Sequence, residues 1–208
     1  MLGRNRLGVY VSSERDAKPN MMVSYLHDGL LLGSSKVAHI DPLLIDGRHF
    51  FNAAFGGAMP EEIYNFVERF GKDEKLILIG LDFFMMNEKA FPYMPETFRD
   101  NQKRGTFPYL FSLRVATDSV ATLYMAGQGR QVAVALAGNR TRESAPPSTK
   151  EQIEDNRKTV RKMLATKHYA DVHYSSRRLE DLKRLRNLMD ERRTRYVVFI
   201  NPLAPDVI

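Results

Sequence analysis

Residues 74–84 read EKLILIGLDFF, and Leu76, Ile77, Leu78 and Ile79 are apolar at every position rather than at every second one. A strand with apolar side chains on both sides needs cover on both faces, which only a sheet sandwiched between other layers supplies. Two further runs share this character, Gly29–Leu32 near the start and RYVVFI at residues 195–200. A second short strand is expected at His49–Ala53. Between these strands lie amphipathic helical stretches, and strands alternating with helices argue for an α/β domain built on a parallel sheet with helices on both faces.

The helices carry their own punctuation. Pro60 stands where a helix can begin, Glu61 and Glu62 favour its first turn, and Ile63, Phe66, Val67 and Phe70 form one apolar stripe before Gly71 ends it. A helix is expected from Ser112 to about Met125. QVAVALAG at 131–138 reads as a short strand or a helix end. The proline-rich stretch NRTRESAPPST reads as a surface loop, after which Thr149 and Gln152 form a capping pair for a helix over 150–167. Another helix runs from Ser176 to about Arg193, with Leu179, Leu182, Leu185, Leu188 and Met189 on one side. Residues 1–24 read as an irregular lead-in, 25–208 as the α/β domain, and about 88–110, with three prolines, as a long irregular excursion within it.

With 208 residues and 43% hydrophobic content, one domain can bury a sizeable core. Cysteine is absent, which excludes disulfides, thiolate metal sites and cysteine nucleophiles. No segment resembles a signal peptide or a membrane span, so the chain as given reads as soluble. The net charge is +6, from 31 Lys and Arg against 25 Asp and Glu, and much of the excess lies around 177–195. That basic helix fits a solvated face over a leucine stripe, or an anionic surface as partner. Nucleic-acid binding rests on charge alone, with no aromatic platform or familiar module beside it. No cofactor is expected: the glycine spacing of a dinucleotide fold and the phosphate loop are both missing. No metal is expected either, since His168 and His173 are spaced unsuitably for a helical metal pair.

In a parallel sheet, ligands bind beyond the carboxyl ends of the strands. The turns there are GSSK, NAAFGGA, LDFFMMN and NPLAPD. A serine becomes a nucleophile only when a base takes its proton and fixed donors receive the oxyanion. A strand-to-helix turn supplies part of this by exposing the hydroxyl beside free amides. In GSSK, helix capping is the competing role, because serine is a preferred N-cap.

LLGSSKV, followed about 17 residues later by FNAAFGGA, resembles the first two sequence blocks of the SGNH/GDSL hydrolase superfamily. More narrowly, the layout over residues 29–87 is similar to bacterial membrane-anchored SGNH-like proteins related to polysaccharide O-acyltransferases. The resemblance implies a three-layer α/β/α flavodoxin-like sheet, incomplete at its C-terminus. It makes Ser35 the nucleophile and Ser34 its support, with Gly57 an oxyanion-hole amide and Asn52 the residue that stabilises the second turn. The implied function is a serine esterase or O-acyltransferase acting on an acylated carbohydrate or cell-envelope polymer, periplasmic or membrane-anchored in the full-length protein.

Two departures bear on activity. At the third block the superfamily places an oxyanion asparagine, where this chain has Asp82 and two phenylalanines; Asn87 can substitute only if the loop folds back. An aspartate there repels an oxyanion, so Asp82 is expected to cap a turn or orient a neighbour. The Asp-x-x-His block that carries the base is missing, which implies an amino-terminal piece of a longer protein or a variant without the base. His39, four residues beyond Ser35, shares a helix face with it only if the helix continues through HIDP, and His27 and His49 flank strands. A non-catalytic glycan-binding or scaffold module that keeps the serine turn is the alternative to an enzyme.

Overall fold

The continuous apolar runs do form parallel strands. The computed structural model describes residues 8–9, 13–71, 73–98, 113–127, 134–135, 137–140, 154–155, 157–158, 161–162, 165–166, 169 and 171–201. Four strands, β2 (Gly29–Gly33), β3 (Phe50–Asn52), β4 (Leu76–Leu81) and β6 (Arg195–Ile200), make a parallel sheet in the order β3-β2-β4-β6. A two-stranded antiparallel pair, β1 (Gly8–Val9) with β5 (Val134–Ala135), stands apart from it. The short apolar stretch inside QVAVALAG is therefore a strand.

Helix α3 (Pro60–Phe70) starts at the proline and is capped by Gly71, as its punctuation predicts. Together with α5 (Ser176–Glu191) it covers one face of the sheet, packing Phe66, Val67, Leu185 and Met189 against Leu30, Leu32, Ile77 and Ile79. The opposite face is covered by the single turn α2 (Ser35–Ala38), whose Val37 and Ala38 meet Leu31 and Phe50. Helix α4 (Leu113–Gly127) lies where a helix was expected. Residues 88–98 hold turns and bends without helix or strand, as read for the start of the excursion, while 99–110 lie outside the described residues. Residues 154–155, 157–158 and 161–162 are helical within the span expected to be a helix; the loop at 141–149 lies outside the described residues.

Two expectations need correction. Residues 14–24 are not an irregular lead-in but helix α1 (Glu14–Ser24). Its apolar period is weak and Pro19 interrupts its backbone ladder. What holds it is tertiary contact, with Ala17, Lys18, Pro19 and Met22 all buried. The run Arg195–Ile200 is not a buried-type strand: among the described residues β6 has one strand neighbour, β4, and Val197, Val198 and Ile200 are 51%, 49% and 76% exposed. At the other edge, β3 is closed off, because Asn52 N–H donates to the Ala137 carbonyl at 2.8 Å. Gly138 makes that approach possible, since a Cβ there would stand 2.2 Å from the Asn52 carbonyl oxygen. No helix among the described residues is long and apolar enough to cross a membrane.

Candidate functional site

In chain order the sheet begins at β2, steps outward to β3, then returns past β2 to β4. Connections from β2 and β4 therefore leave in opposite directions, and the carboxyl ends of strands that diverge in this way are where open α/β sheets bind ligands. The serine turn and Asp82 lie there. The approach of these two strands is set by Gly33, whose φ is +145° and whose Cβ, if present, would meet the Gly80 carbonyl oxygen and Val37 Cγ2 at 2.6 Å each.

The two serines have separate jobs. Ser34 is buried and caps α2: its Oγ accepts from Lys36 N–H at 3.3 Å and donates to Asp82 Oδ2. Asp82 is buried too, and its second oxygen pairs with Lys36 Nζ at 2.9 Å. The aspartate thus orients Ser34 and Lys36, one of the roles expected for it, and Lys36 offsets its charge. Ser35, half-buried at the start of α2, makes no side-chain hydrogen bond among the described residues. Its hydroxyl is uncommitted.

Asn52 acts as the second turn requires. Its Nδ2 donates to the Val37 and Ile40 carbonyls, both at 2.8 Å, and its Oδ1 accepts from Ala54 N–H at 3.1 Å, tying the β3 exit to the end of α2. Phe55 N–H donates to the Gly33 carbonyl at 3.1 Å, so the two turns are joined directly. Gly57 has φ +65°, a left-handed conformation that glycine adopts without strain. Among the described residues its N–H donates to no other group.

Helix α1 clamps this loop, a function that the charge pair Glu14 and Lys18, four residues apart, could have signalled. Glu14 Oε2 accepts from Gly56 N–H at 3.0 Å, Arg15 Nη2 donates to the Gly57 carbonyl at 3.3 Å, and Lys18 Nζ donates to the Ala54 carbonyl. Arg140 closes on Glu14 at 2.5 Å and Arg15 on Glu62 at 2.7 Å. Burial drives the Lys18 ammonium down to about 8, against the opposing pull of Glu14. Burial works the other way on Glu14, yet bonds from Arg140 and Gly56 and the nearby Lys18 charge bring its carboxyl down to about 2.

Asn87 is not an open amide. Its Nδ2 donates to the Asp171 carbonyl at 3.2 Å and its Oδ1 accepts from the N–H groups of Lys89 and His173, both at 3.1 Å. That binds the segment 171–173 to the exit of β4. Tyr169 stacks edge-on with Phe84 just after β4, and its phenol is raised first by burial and then by the Asp82 charge. On the segment 171–173, His173 Nε2 stands 2.8 Å from Asp171 Oδ1, and Lys89 Nζ reaches the same carboxylate at 2.5 Å. His39 does not lie on a continuing helix: it caps α2 and is exposed. His168 lies outside the described residues.

The basic helix is partly committed inside the molecule. Arg178 is buried, donating to the carbonyls of Asn87 and Phe91 and pairing with Glu61 at 3.4 Å. Arg192 donates to the Val67 carbonyl at 2.8 Å, the Glu68 carbonyl at 2.9 Å and the Gly71 carbonyl at 3.1 Å, closing the end of α3. Arg184 lies over the Tyr64 ring. Comparison with family models, curated proteins and solved structures found no match to this chain.

Proposed function

We propose that this chain is an SGNH-like serine esterase or O-acyltransferase domain, flavodoxin-like in topology, whose substrate is an acylated carbohydrate or cell-envelope polymer. The observation that carries the reading is the division of labour between the serines. Ser34 is locked by Asp82 and the cap, while Ser35 stands uncommitted at the point where the strand connections diverge.

In this reading Ser35 Oγ attacks the acyl carbonyl, and its own N–H and that of Gly57 receive the oxyanion. Asn52 and the α1 clamp hold the Gly57 loop in place beforehand, which is how preorganised donors gain their effect. Asn87 takes no part in the oxyanion hole. Its amide is committed to the segment 171–173, and we assign the base to His173 on that segment. Asp171 Oδ1 and Lys89 Nζ both stand 2.8 Å from His173 Nε2 and orient the ring, which leaves Nδ1 to accept the serine proton. Collapse of the tetrahedral intermediate expels the sugar alkoxide, which takes that proton back. Water or an acceptor hydroxyl then removes the acyl group from Ser35.

Release of acetate from an acetylated polysaccharide is the test. S35A is expected to abolish it, and H173Q to lower it by about a hundredfold or more. Loss in S35A with full activity in H173Q would remove His173 from the mechanism and leave Ser35 in it. Polysaccharide binding without turnover in the wild-type chain, unchanged in S35A, would instead support the glycan-binding reading. That reading draws on the absence, among the described residues, of any hydrogen bond from Ser35 to a histidine or carboxylate.

A further inference from the structure

At the opposite end of the sheet from the serine turn lies a pocket of about 500 Å³, formed where α1 ends, where α3 ends and where β4 begins. Its walls include Met22, Tyr25 and Phe70, with Asp73, Glu74 and His27 among the polar groups. The volume is within the range of small-molecule sites.

Glu74 is the unusual group. Its side chain is only 6% exposed, and Oε1 pairs with His27 Nε2 at 3.0 Å. Oε2 is buried with no hydrogen-bond partner among the described residues. A buried carboxylate oxygen without a donor is unfavourable, and native structures rarely leave one unsatisfied. His27 does not fill that role. Its Nδ1 is engaged at the Tyr25 carbonyl oxygen, 2.5 Å away, and its ring packs in a cluster with those of Tyr25 and Phe51.

Among the described residues that line the pocket, the remaining charge is negative. Both ring nitrogens of His27 face oxygens, the Tyr25 carbonyl and Glu74 Oε1, which is the arrangement of an imidazolium, so His27 offsets Glu74 and Asp73 adds a second carboxylate. Metal ligation is not what this set suggests: no group of three or more His, Asp or Glu suited to a metal is found among the described residues. A donor that brings positive charge and a hydrocarbon body suits both the orphan oxygen and the Tyr25 and Phe70 walls, since aromatic faces attract cations.

We propose that this pocket binds a small organic ammonium ion, its N–H donating to Glu74 Oε2 and its apolar part lying against Tyr25, Phe70 and Met22. The site is independent of the serine turn. Ligand and enzyme readings therefore fail separately.

The probe is benzylamine, titrated into the ¹⁵N-labelled full chain, with benzyl alcohol as the neutral control of nearly the same shape. Saturable shifts are expected at residues 22–27, 70, 71, 73 and 74, with benzyl alcohol binding at least about tenfold more weakly. E74Q, which keeps the shape and removes the charge, is expected to weaken benzylamine by about tenfold or more, and D73N by less. S35A leaves binding unchanged. Equal affinity for amine and alcohol, full affinity in E74Q, or no saturable shift with benzylamine overturns the proposal. If E74Q does not fold, the contrast between amine and alcohol in the wild-type chain decides it alone.

Discussion

Strands β2 and β6 lie in one parallel sheet and both carry non-alternating apolar residues, yet every residue of β2 is buried while four of the six in β6 are exposed. The difference is position. Among the described residues, β2 has a strand on each side, α3 behind it and α2 in front, whereas β6 has β4 on one side and α5 over part of one face. An apolar run states a demand for cover without saying how much of it is met. The site follows the covered end: the serine turn, Asn52 and Asp82 cluster where the backbone is held from several directions.

This contrast can be broken by truncation. Leu32→Ala empties a site sealed on all sides and should lower unfolding free energy by about 3 kcal/mol or more. Val198→Ala, at the open edge, should lower it by less than about 1 kcal/mol. Urea unfolding of both variants checks this, and equal losses would mean that β6 is covered in solution.

Lys18 sharpens the same point, because it is a charge placed in the sealed region. Its folded pKa of about 8 lies below the ordinary 10.5, so the unfolded chain binds the extra proton between those values. Stability therefore rises as pH climbs from about 8 towards 10.5, removing a penalty of roughly 3 kcal/mol that is fully present at lower pH. The stability of the wild type relative to K18M should follow that course. A difference that stays flat over this window contradicts the burial of the ammonium.

Smaller effects separate the serines. Ser34→Ala loses the cap and the Asp82 bond and should cost about 1 to 2 kcal/mol. Ser35→Ala removes no side-chain hydrogen bond among the described residues and should stay within about 0.5 kcal/mol of wild type. Thermal unfolding compares them directly.

Much of the frame was legible from residues. Non-alternating Leu and Ile marked β2 and β4, and Pro60 and Gly71 bracketed α3, because burial and backbone punctuation are local signals. Helix α1 was not legible, since Lys18 and Pro19 argue against a buried helix until the carbonyl of Ala54 is there to receive the ammonium. The exposure of β6 was equally hidden, because it depends on which strands lie beside it. At the site, Asp82 was read as an orienting group and Asn52 as a turn anchor, and both make such bonds. Lys36, adjacent to Ser35, was overlooked because its role depends on a carboxylate 46 positions away. The segment 171–173 was weighed only for metal spacing, and its tie to Asn87 is a long-range contact that no local pattern announces.

We propose Ser35, and not Ser34, as the nucleophile. Reaction with a fluorophosphonate probe, followed by intact mass and peptide mapping of wild type, S34A and S35A, tests it most directly. One adduct is expected, on Ser35, retained in folded S34A and lost in S35A. An adduct on Ser34, or no adduct in a folded wild-type chain, would contradict it.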